Sequence, residues 1–135
     1  MGIPTHEDAR ALLDLVRMRQ AAPHQEAETW FMRDFRPGAW EDLSRHYPPG
    51  STERAHLEAV LGYWELVGAL VDNGLLNEDL LFDVLPSLEP IWERVAPWLP
   101  AARAELGSDL WENLEILVTQ QRHWKQLHRP KATRL

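Results

Sequence analysis

Apolar residues recur at three- and four-residue steps along almost the whole chain, and strand-like alternation of apolar and polar positions is hard to find. The pattern predicts an all-α protein. Its longest unbroken stretch carries Leu57, Val60, Leu61, Trp64, Gly68 and Val71 on one stripe, widened by Tyr63, Leu66 and Leu70. This is a long central helix near 52–72, with Ser51 or Thr52 as its N-cap and Gly74 placed to turn left-handed just past its end. A C-terminal helix near 109–128 starts at Ser108 or Asp109 and turns Leu110, Leu114, Leu117, Val118, Gln121 and Trp124 inward.

Caps and prolines divide the rest. Thr5 opens a first helix and Asp8 completes an approximate capping box, with Ala9, Leu12, Leu13, Val16 and Gln20 expected on the inner face. Pro23 ends that helix and opens a second over 24–36, bearing Ala27, Trp30, Phe31 and Phe35. Pro37-Gly38 stops it, a short helix spans 39–46, and Pro48-Pro49-Gly50 makes a loop. Asn77 caps a short helix that Pro86 ends, and Ser87 caps a segment that Pro97 and Pro100 kink or split. The expectation is a single compact bundle of about five to seven helices over 1–129, followed by a short basic tail, 130–135, without order.

A length of 135 residues suits one domain able to bury its own core. The absence of Cys excludes disulfides, thiolate metal sites and a cysteine nucleophile. No apolar run approaches the roughly 20 residues needed to cross a bilayer, and the N-terminus meets charge before any apolar stretch, so a cytoplasmic protein without membrane contact is expected. The net charge of −7 is uneven: residues 51–109 hold 3 bases and 11 acids, whereas residues 110–135 hold 5 and 2. Dipole-favoured placement of acids at helix starts and bases at the final helix end accounts for much of this. Twelve Arg against two Lys points, by association only, to a GC-rich bacterial genome.

The search for chemistry-bearing motifs returns little. The interhelical loop 72–79 fails as an EF-hand, because the positions after Asp72 that must ligate are Gly74 and Leu76 and the required glycine is Asn77. The six histidines form no metal-ligand motif; His123 and His128 lie about 140° apart on a helix, and His24 and Glu28 read as a solvated pair. No phosphate loop, dinucleotide fingerprint or nucleophile elbow is present, so no catalytic, cofactor or metal residue is assigned. Gly62 and Gly68, inside the central helix, would let another helix approach closely.

Three groups remain as candidates. Glu65 is the only charge between Ala59 and Val71; a solvated stripe with Glu58 and Asp72 is the simpler reading, but if covered it needs Arg94, Arg103 or Arg122, with Glu65 and Arg103 as the favoured buried pair. Trp40 and Trp98 lie in short or proline-flanked segments and are expected to be the exposed tryptophans, a possible interaction surface. Arg122, Lys125, Arg129 and Lys131 mix with an aromatic in the tail as phosphate or single-strand binders do, although the whole chain is acidic.

The segments Val60–Gly74, Asn77–Phe82, Ile91-Trp92 with Arg103, and Leu110–Leu117 together resemble the small bacterial helical family of domain of unknown function 4760, over about residues 55–120. The resemblance implies an α-helical fold and no known activity, so it carries no site residues or cofactors. The leading expectation is therefore a noncatalytic protein-interaction or oligomerisation module whose partner is another protein or a second copy. The alternatives are a binder of an anionic ligand or nucleic acid through the basic C-terminal helix and, least favoured, a small enzyme using Glu65 in a cleft.

Overall fold

In a computed structural model, residues 2–128 are described, and they form eight helices and no strand. In chain order these are α1 (His6–Gln20), α2 (Ala22–Arg33), α3 (Trp40–His46), α4 (Thr52–Asp72), α5 (Glu78–Val84), α6 (Glu89–Glu93), α7 (Leu99–Leu106) and α8 (Glu112–Leu127). The all-α bundle and both long helices stand where the periodicity placed them. The count reaches eight because the proline-rich segment becomes two short helices joined by turns.

Local chemistry sets most boundaries. The Thr5 hydroxyl accepts from the Asp8 N–H and the Asp8 carboxylate accepts from the Thr5 N–H, a complete capping box. Ser51 caps α4 and Asn77 caps α5 through their side-chain oxygens. Gly74 adopts φ +71 after α4, a conformation that would strain a larger residue. Helix α2 stops at Arg33, short of the expected Arg36, because the N–H groups of both Asp34 and Phe35 converge on the Trp30 carbonyl and Pro37 then requires extended backbone before it. Ser87 is not the N-cap of α6; that position belongs to Leu88, although Ser87 Oγ accepts from the Glu89 N–H.

Helix α4 is the spine, packed against both α8 and α2. Its stripe buries Leu57, Val60, Leu61, Trp64, Val67 and Val71, and α8 answers with Leu114, Leu117 and Val118. Gly68 makes the close approach of α4 and α8 possible: a Cβ there would stand 2.2 Å from the Asn113 carbonyl oxygen. Gly62 has no such neighbour, so the close-approach expectation holds only for Gly68. Gln121 is fully buried and bridges a bend, accepting from the Leu88 N–H at 2.9 Å and donating to the Pro86 carbonyl at 2.9 Å.

The face of α1 differs from the expected one. Leu15 is its single buried residue, whereas Leu13 is 54% and Val16 38% exposed. Tyr63 of α4 donates to the Leu15 carbonyl at 2.7 Å, which turns the Leu15 side of α1 toward the bundle and leaves Leu13 and Val16 outward.

Candidate functional site

Glu65 meets a helix terminus instead of an arginine. Its Oε1 accepts from the Leu114 N–H at 2.9 Å, and its Oε2 accepts from the Asn113 N–H at 3.3 Å and the Asn113 side-chain amide at 3.0 Å. The first-turn N–H groups of α8 thus take their acceptor from α4, and the positive end of the helix dipole favours the carboxylate. This replaces the local cap expected at Ser108 or Asp109. Gly107 at φ +138 and a turn through Leu110 delay the helix, and its N-cap position is Trp111 in the left-handed region (φ 55), which supplies no side-chain cap. Such a conformation costs about 1–2 kcal/mol for a non-glycine residue, so the Glu65 bonds help to hold it.

None of the three arginines considered as partners of Glu65 reaches it. Arg103, the favoured one, donates to the Leu110 carbonyl at 2.8 Å and pairs with Glu115 at 2.8 Å. Arg94 donates to the Phe35 and Met32 carbonyls at 3.0 Å, closing the end of α2. Arg122 forms a two-pronged pair with Glu89, at 2.6 and 2.7 Å. That pair holds the Glu89 carboxyl below the usual carboxylate range and raises the Arg122 guanidinium further. Of the proposed anion contacts, Arg122 is therefore already partnered and Lys125 is exposed; Arg129 and Lys131 lie outside the described residues.

Among the clefts of the described residues, two are lined by tryptophan. The first, about 380 Å³, lies among α1, α2, α4 and α5. Its apolar walls include Leu12, Val16, Val67, Leu81 and Val84, and its polar end holds Arg19 and Glu28. Arg19 grips Glu28 with two hydrogen bonds at 2.6 and 3.1 Å and lies over the Trp64 ring, 5.0 Å from its centroid. His24 reaches the same carboxylate at 3.1 Å, and its ring lies 4.8 Å from that of Tyr63. The His24–Glu28 pair is thus not solvated: the two side chains are only 11% and 19% exposed. Burial alone would raise the Glu28 pKa, but the hydrogen bonds and charge of Arg19, helped by His24, outweigh it and hold the carboxyl below its ordinary value. Burial pushes the Tyr63 hydroxyl up, so it stays a hydrogen-bond donor at neutral pH.

The second cleft, about 280 Å³, brings together the two tryptophans expected at the surface. Trp40 and Trp98 are buried, 7% and 2% exposed, and their rings stack at 5.5 Å, so the expectation of exposure is corrected. The physical reason is pairing between α3 and the turn before α7: each ring covers the other, and the Trp98 N–H donates to the Arg94 carbonyl at 2.6 Å. With Trp111, Leu57, Leu106 and Leu110 they line an aromatic pocket beside Arg54 and Glu58.

Among the described residues, no group of three or more His, Cys, Asp or Glu is placed to hold a metal ion, and no helix is long and apolar enough to cross a membrane. The family model described as "Domain of unknown function (DUF4760)" matches residues 4–124, well beyond the stretch on which the resemblance rested, and the chain belongs to that family. No curated protein and no solved structure matches the chain.

Proposed function

We propose that this protein is a noncatalytic contact module of the bacterial cytoplasm, which associates with a second copy or another protein through α1 and α5. The observation that carries the reading is the rim of the first cleft, where Val16 of α1 and Val84 of α5, 38% and 58% exposed, face solvent, with Leu13 one turn before Val16. Apolar side chains grouped beside an open cleft gain from being covered, at about 25 cal/mol per Å² buried.

The polar groups support the same reading. Glu65 caps α8, Glu28 is held by Arg19 and His24, and Asp79 accepts from the Trp124 N–H, so these carboxylates serve as joints between elements. Light scattering across a concentration series tests the proposal. Mass should rise with concentration in the parent and stay monomeric in Val16→Asp; a parent that is strictly monomeric and has no protein partner at this face contradicts it.

A further inference from the structure

The tryptophan pocket is built around a buried cation. Arg54 lies on the first turn of α4, its side chain 9% exposed, with its guanidinium 5.1 Å from the Trp40 ring centroid. One nitrogen donates to the Tyr47 carbonyl at 2.7 Å. The carboxylate facing it is Glu58, at 3.5 Å and 60% exposed, a long contact to a group that stands mostly in water. A charge withdrawn from solvent calls for a close counter-charge, and Glu58 supplies one only loosely.

The walls define what could meet that demand. The stacked indoles of Trp40 and Trp98 form one wall, Trp111 forms another, and Leu57, Leu106 and Leu110 close the remaining sides. Trp111 lines this pocket while holding the one positive φ of a non-glycine residue among the described residues, a strained backbone of the kind that collects at binding sites. Aromatic and aliphatic walls favour an apolar ring, and a buried guanidinium with a loosely held counter-charge selects an acceptor carrying negative charge.

We propose that this pocket binds a small aromatic carboxylate. The ring packs against Trp111 and the side of the stacked Trp40–Trp98 pair, and the carboxylate takes the place of Glu58 against Arg54. None of its lining residues belongs to the cleft between α1 and α5, so the site is independent of the contact face.

Calorimetric titration of the full chain with naphthoate and with neutral, isosteric naphthamide tests the proposal. Naphthoate should saturate the protein below about 1 mM, and naphthamide should bind at least about tenfold more weakly. Glu58→Gln removes the competing carboxylate from an exposed position and should tighten naphthoate binding about threefold. Leu106→Trp, at a rim residue 53% exposed, should block the mouth and weaken binding about tenfold or more. Circular dichroism confirms that both variants fold. Absence of saturable naphthoate binding, equal affinity for naphthamide, weaker binding by Glu58→Gln, or indifference to Leu106→Trp would each overturn the proposal.

Discussion

Replacing Glu65 separates a capping role from a merely solvated or catalytic one. The carboxylate accepts three hydrogen bonds, at 2.9, 3.0 and 3.3 Å, and two of them come from backbone N–H groups at the start of α8. Hydrogen bonds to a charged acceptor contribute about 1.5–3 kcal/mol each when counted alone. Here one carboxylate serves all three donors in a partly buried site, so Glu65→Ala should cost about 3 kcal/mol in total. Glu65→Gln keeps one acceptor oxygen but loses the charge facing the helix dipole, and should cost about 1–2 kcal/mol. At roughly 4 °C per kcal/mol for a chain of this size, the alanine variant melts about 12 °C below the parent and the glutamine variant falls between. Urea unfolding followed by circular dichroism measures the energies, and hydrogen exchange at the Leu114 amide localises them. An alanine variant within about 0.5 kcal/mol of the parent, or a glutamine variant as damaged as the alanine one, refutes the cap.

Two glycines in one helix should respond with opposite signs. Gly68→Ala drives a methyl group into the Asn113 carbonyl, 2.2 Å away, and should destabilise by about 2–3 kcal/mol; Gly62→Ala meets nothing within 4 Å and should stabilise by about 0.5–1 kcal/mol through helix propensity. Equal effects in a thermal melt would contradict the close approach of α4 and α8. The Glu28 carboxyl has its folded pKa below its unfolded value of about 4.3, so its stabilisation is present above that value and is lost as pH falls through the folded pKa. The stability difference between the parent and Glu28→Gln, read from urea midpoints, should therefore shrink as pH drops below about 4; a gap constant from pH 7 to pH 3 would be inconsistent with the ion pair. Arg122→Gln breaks an exposed pair, 49% and 38% exposed, and should cost less than about 1 kcal/mol, with a larger loss indicating that the Glu89 contact ties α6 to α8 more strongly than solvent allows.

What the sequence made legible were local relations. Thr5 with Asp8, Ser51 with the start of α4, and Asn77 with the start of α5 lie within three residues of their partners, so spacing alone identifies them. The stripe of α4 was equally readable because Leu57, Val60, Leu61 and Trp64 share one face whatever packs against it. The partner of Glu65 was not, because it is a backbone terminus 48 residues away whose position depends on the delayed start of α8. The four-residue spacing of His24 and Glu28 was visible, but nothing local revealed that Arg19 and Tyr63 would enclose them. Trp40 and Trp98 illustrate the same gap: a short segment for one and flanking prolines for the other suggested exposure, and burial came from each ring covering the other across the fold. On α1 the periodicity put Leu13 and Val16 on the inner face, and the Tyr63 bond to the Leu15 carbonyl decided for the Leu15 side instead.

That decision leaves Leu13 and Val16 in solvent, and the proposal that they meet a partner is open to direct measurement. Backbone hydrogen exchange recorded as protein concentration rises reports where association covers the chain. The account predicts slowing confined to α1 and α5, around Val16 and Val84, and abolished by Val16→Asp. Exchange that is independent of concentration, or slowing that appears elsewhere and survives Val16→Asp, would contradict it.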